Sequence, residues 1–148
     1  MKVCVADAAL AASLAPLGGP EDRCDDGIVF APAPVTDWAQ AEDQLTLAFS
    51  LSQAAARFDA PVVYLVGTAG VLGRSGVWDS AVATALVAAG RCLAFEGQRR
   101  GQYVTVIAHD KTTPATAIGD AIRFAIASKA ALGQTIALGS KHLGAMLP

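Results

Sequence analysis

Thr68, Arg74, Asp79, His109 and Asp110 are the residues whose types could do chemistry if the fold brings them to one place. Histidine exchanges protons near neutral pH, an aspartate carboxylate accepts them, arginine holds an anion, and a threonine hydroxyl donates or accepts a hydrogen bond. The bland alternative is that Arg74 and the turn His109-Asp110-Lys111 are solvated loop. Gly67, Gly70, Gly73 and Gly76 suggest a phosphate cradle, but no Gly-Lys-Ser/Thr follows them, which makes the signal weak. Cys4, Cys24 and Cys92 lack CxxC or metal spacing, and only His109 and His142 could join them, so no metal site is expected. An odd number of cysteines on separate elements predicts free, mostly buried thiols in a reducing compartment.

The 148 residues are 53% apolar and 16% charged, enough for one domain over 1–148 with a real core. A net charge of -2 and a basic cluster no larger than Arg99-Arg100 exclude a nucleic-acid partner. Asp7 breaks the first apolar stretch, and no apolar run reaches the length of a membrane span, so a cytoplasmic protein without a membrane partner is expected.

The elements that must position these residues alternate. Strands are expected at Val3 to Ala6, Gly27 to Ala31, Pro61 to Val66, Gln102 to Ala108 and Gln134 to Leu138. Helices are expected at Ala8 to Leu17, Trp38 to Arg57 (capped by Thr36 or Asp37), Trp78 to Phe95 and Pro114 to Ser128, with Gly67 to Gly76 a glycine-rich loop. Such alternation predicts an α/β fold, a parallel sheet of about five strands with helices on both faces in three layers. Thr68, Arg74, Asp79, His109 and Asp110 then lie near the carboxyl ends of strands, where open α/β sheets bind ligands.

The helix around Ala81 to Ala89 has almost no polar face. A helix lying on a sheet buries one stripe and solvates the other, so this one requires cover on its far side as well. A core helix is one answer. A subunit contact is the favoured one, through Leu47, Leu51, Ala81, Ala85, Leu86 and Ala89.

From Asp26 to about Ser140 the order of segments resembles the short-chain dehydrogenase/reductase family, especially its 3-oxoacyl-thioester ketoreductases. The resemblance is carried by Asp26 to Ala31 as the fourth strand, Gln53-Ala54-Ala55 in the helix after it, and Val62 to Gly70 ending Thr68-Ala69-Gly70. It continues in Ala85-Leu86, Leu93-Ala94-Phe95-Glu96, Val104 to Ala108, Ala127-Ser128 and Gly133-Gln134-Thr135-Ile136. It implies a Rossmann-like fold, truncated in its cofactor-binding half. Anchored on Leu93-Ala94-Phe95-Glu96, the family's serine, tyrosine and lysine positions fall on Gly67, Asp79 and Ala83, and its helix asparagine on Gln44. There is no Tyr-x-x-x-Lys, and Lys129-Ala130-Ala131 echoes the motif in the wrong place. Hydride transfer needs a proton donor at the developing alkoxide, and these residues supply none with a neighbouring cation.

The cofactor turn has changed too. The first strand leads into Ala6-Asp7-Ala8-Ala9-Leu10 without a glycine, where a dinucleotide fold needs backbone N–H groups close to the pyrophosphate. The turns Ala31-Pro32-Ala33-Pro34 and His109-Asp110 depart from the family's cofactor contacts as well. The resemblance therefore implies a catalytically inactive, NAD(P)-free subunit that associates through helices with itself or with a full-length reductase of the same family, supporting that partner. The alternatives are an oxidoreductase with an altered site, using Asp79 as acid/base, and an acyl-thioester or small-ligand binding module.

Overall fold

The computed structural model describes residues 1–19 and 23–139, so His142 and the end of the family resemblance at Ser140 lie outside the described residues. Five strands form one parallel sheet in the order β1-β2-β3-β4-β5: β1 Lys2–Val5, β2 Ile28–Ala31, β3 Val62–Gly67, β4 Val104–His109 and β5 Thr135–Leu138. The helices are α1 Ala8–Leu14, α2 Trp38–Ala56, α3 Thr68–Val71, α4 Val77–Gly97 and α5 Ala115–Ser128. The expected architecture is present, with element ends shifted by a residue or two.

β3 is apolar without alternation because both its faces are covered: Val62, Tyr64 and Val66 meet the α2/α4 side, and Val63 and Leu65 meet the α1/α5 side. Asp37, of the two residues expected to cap α2, does so, accepting from the Gln40 N–H at 2.9 Å. Gln40 reaches back to accept from Thr36 N–H at 2.9 Å. Gly90 lets α4 settle close to the sheet, since a Cβ there would stand 2.7 Å from Val106 Cγ2.

Each strand lies beside its predecessor in sequence, always on the same side. Crossovers through α2 and α4 pass over one face, and those through α1 and α5 over the other. Equal steps over opposite faces have opposite hands, so two of the four crossovers take the hand found in only about 2% of such units. The same arrangement sends the chain to opposite faces after β1 and β2, and again after β3 and β4. Those divergences, rather than a reversal of strand order, create the crevices at the carboxyl end.

Two expectations need correction. The glycine-rich segment is not all loop, because Thr68–Val71 form a helical turn against α4. Leu51 and Leu86 are not interface residues: they are 8% and 1% exposed, inside the chain's own core. The 3.6-residue period turns Val82, Ala83, Leu86, Val87, Gly90 and Ala94 to the sheet side. Helix 77–100 is long and apolar enough by composition alone to cross a membrane, although no uninterrupted apolar run in it is that long. It lies packed on β3, β4 and α2.

Candidate functional site

The prolines of the segment after β2 leave two backbone N–H groups between Pro32 and Val35, those of Ala33 and Val35. Gln44 Oε1 accepts from Ala33 N–H at 2.9 Å, and Asp79 Oδ1 accepts from Val35 N–H at 3.0 Å. Both donors of this strap are thus held by side chains from the two long helices, Gln44 on α2 and Asp79 in the first turn of α4. Val35 itself is buried, and Trp38 and Trp78 meet edge to face with centroids 5.8 Å apart beside it. Asp79 is therefore a clamp between elements.

The other candidates do not converge on it. Thr68 is 2% exposed and its Oγ1 has no partner. Arg74 is exposed, and Gly67 stands level with His109 across β3 and β4. His109 Nδ1 lies 3.3 Å from the Asp110 carbonyl oxygen, to which only the ring nitrogen can donate. Asp110 belongs to a turn: its N–H donates to Thr113 Oγ1 at 3.1 Å, and Thr113 in turn donates to Leu138 O at 3.2 Å. Among the described residues the one hydrogen bond between any two of Thr68, Arg74, Asp79, His109 and Asp110 is that local contact of the His109 ring with its neighbour's carbonyl. Ala83 is buried, with its Cβ 2.9 Å from where a Gly70 Cβ would stand, so the space of a lysine side chain is filled.

The crevice between β1 and β2 holds a cavity of about 190 Å³ lined by Cys4, Val5, Ala6, Phe30, Ala31, Ala33, Gln44 and Leu47. After β1, Asp7 Oδ1 accepts from Leu10 N–H at 2.8 Å, so the start of α1 is capped by a carboxylate of its own. A larger cavity of about 310 Å³, between the end of α4 and the start of β5, is lined by Arg91, Phe95, Gln98, Leu132 and Gln134 and lies away from all the predicted residues. Among the described residues no cluster of three or more His, Cys, Asp or Glu could hold a metal. Cys4 and Cys24 are half-buried and in no disulfide, but Cys92 is exposed on α4, contrary to the expectation of burial.

No protein-family model matches the chain, and no curated protein matches it in sequence. Solved structures do match. A crystal structure of an oxidoreductase (short chain dehydrogenase/reductase) from Brucella ovis is similar with a TM-score of 0.64 at 16% identity, over 93% of this chain and 98% of that one. The chain has the short-chain dehydrogenase/reductase fold. A second such oxidoreductase from Brucella ovis, in complex with a partially ordered NAD, aligns with a TM-score of 0.57 at 20% identity, over 88% of this chain and 72% of that one. In the reductase fold as this chain carries it, one strand and one helix stand before β2.

The outer side of the α2/α4 layer is apolar and open. Val77 and Phe95 are 77% and 80% exposed at the two ends of α4, with Ala81, Thr84, Ala88 and Cys92 exposed between them. Trp38 and Phe49 of α2 are also largely exposed. Of the predicted interface residues, Leu47 and Ala81 lie on the surface, and Ala85 and Ala89 are half-buried. Sequence reasoning missed Phe95, Val77 and Trp38, although the helical spacing of Val77 from Ala81 and of Phe95 from Ala88 would have included the first two.

Proposed function

We propose that this protein is a degenerate reductase-fold subunit that acts by association and carries out no hydride transfer. The observation that carries this reading is the use of Gln44 and Asp79, at the positions of the family's helix asparagine and tyrosine, as acceptors for the Ala33 and Val35 N–H groups. A carboxylate engaged with a backbone donor, with buried Ala83 four residues on, supplies no proton to an alkoxide. The residues do not fit a dinucleotide either. Asp7 sets a negative charge where a pyrophosphate needs free N–H groups, and the cavity between β1 and β2, about 190 Å³, is smaller than ligand sites of about 300–1,000 Å³.

The contact surface is the outer α2/α4 layer, whose exposed aromatic and aliphatic side chains form an apolar area of the kind that marks association. The partner is a second copy or a full-length reductase, and the compartment is the cytoplasm. Titrating the protein with NADH and NADPH while following nicotinamide fluorescence, together with light scattering, tests both halves. No saturable binding and an oligomer are expected, whereas micromolar binding would restore the oxidoreductase alternative. The apolar cavity at Cys4, Phe30 and Leu47 favours one second reading, a module for a small acyl ligand. Thermal shifts with short acyl thioesters would reveal it.

A further inference from the structure

The sheet has two edges, and the β1 edge is the one with a definite unpaired stretch. Lys2 N–H donates to Gly27 O at 2.8 Å and stands level with Ile28. In a parallel ladder, alternate residues bond to one neighbour, so Lys2 and Cys4 turn their peptide groups to β2, and Val3 and Val5 turn theirs outward. Gly19 N–H donates to Met1 O at 3.2 Å and closes the amino end of the edge. Beyond Val5 the chain leaves the sheet and Asp7 caps α1. The open donors and acceptors are those of Val3 and Val5.

We propose that this edge is closed by β1 of a second copy, antiparallel about a two-fold axis through Cys4. This register pairs both valines, each Val3 with the opposite Val5 in four backbone hydrogen bonds, and calls on neither Met1 nor Asp7. Neighbouring registers require one of those two, which the Gly19 bond and the helix cap already occupy. Charge agrees with the choice. Lys2 of each copy comes opposite Ala6 and next to Asp7 of the other, so opposite charges meet at both ends. The exposed side of α1 carries Ala8, Ala9, Ala12 and Ala15, and neither bulk nor charge there opposes a second copy. An isologous contact needs this kind of self-complementarity. It is separate from the α2/α4 layer.

The register places the two Cys4 residues directly opposite at a non-hydrogen-bonded pair, where Cα atoms are about 4.5 Å apart, within the disulfide range of about 4.4–6.8 Å. The full chain with Cys24→Ser and Cys92→Ser, at low micromolar concentration, is treated with diamide. The reagent takes two electrons and two protons from two thiols as the S–S bond forms. The expected result is a covalent dimer on a non-reducing gel, absent in Cys4→Ser, which remains a dimer by light scattering. Val3→Pro removes an outward N–H without touching a bond to β2; made together with Ala88→Arg and Phe95→Asp, which disable the helix layer, its expected result is dimerisation weakened at least tenfold with unchanged circular dichroism. Should Val3→Pro fail to fold, cross-linking decides. A monomer band after oxidation of the folded protein overturns the proposal, as does a dimer that Val3→Pro leaves intact. Cross-linking that persists with Ala88→Arg and Phe95→Asp added is expected, and it separates this edge from the helix layer; loss of the cross-link in that background overturns the proposal.

Discussion

Asp79 Oδ1 accepts a hydrogen bond from the backbone N–H of Val35, forty-four residues away in sequence, at 3.0 Å. The bond ties the first turn of α4 to the proline-rich strap after β2, and Gln44 holds the same strap at Ala33. Side chains of both long helices thus serve the chain's own backbone.

Removing either clamp costs stability. Asp79→Ala leaves Val35 N–H beside a buried side chain without its charged acceptor, a loss of about 1.5–3 kcal/mol. Gln44→Ala removes a neutral bond and costs about 1 kcal/mol. Chemical denaturation should rank the two in that order.

Rebuilding the family motif should not rebuild its chemistry. Asp79→Tyr with Ala83→Lys abolishes the Val35 bond and forces an ammonium into the space beside Gly70. The expected outcome is a less stable protein that does not oxidise NADPH in the presence of a 3-oxoacyl thioester, followed at the nicotinamide absorbance.

A buried polar pair gives an asymmetric prediction. Ser52 Oγ donates to Ala48 O at 2.7 Å and lies 2.5 Å from Tyr64 Oη, so the phenol is the donor between them. Ser52→Ala strands that buried O–H and should cost about 1–3 kcal/mol, whereas Tyr64→Phe leaves no donor unpaired and should cost less. Burial pushes the Tyr64 phenol above its usual value. A raised folded pKa means the native state holds the proton more tightly. This contribution is therefore constant below about pH 10, the value of a free phenol, and is lost at higher pH. Tyr64→Phe should flatten the fall in stability above pH 10, measured by urea unfolding.

Gly90→Ala should be destabilising despite alanine's better helix propensity. The new Cβ would meet Val106 Cγ2 at 2.7 Å, and both groups belong to rigid elements. Overpacking of this kind costs about 1–3 kcal/mol, more than the gain of about 1 kcal/mol from propensity. A lowered thermal midpoint checks it.

Core and surface of α4 should separate cleanly. Leu86→Ala empties a fully buried site and should cost about 2–5 kcal/mol without changing oligomer size. Ala88→Arg with Phe95→Asp should leave the melting temperature nearly unchanged and reduce the mass by light scattering. An unchanged mass would remove the helix layer as a contact.

The strand and helix order was legible because punctuation and period are local: Pro32 and Pro34 stop β2, Asp37 starts α2, and the unbroken run from Val62 to Val66 marks a doubly covered strand. The roles of Gln44 and Asp79 were not, since each depends on an N–H that only the folded chain brings near. Leu51 and Leu86 looked like contact residues for a similar reason. In a helix apolar all round, composition conceals which face the sheet takes, and only the position of β3 and β4 decides it. The hand of the crossovers leaves no mark on any residue.

The strictly sequential sheet bears on how the chain comes to be folded at all. Every strand docks beside the one made just before it, with one or two α-helices between. Loop closure is short at each step, and contacts of low sequence separation favour fast folding. A chain emerging from the ribosome can add strands one at a time, none waiting for a neighbour synthesised much later.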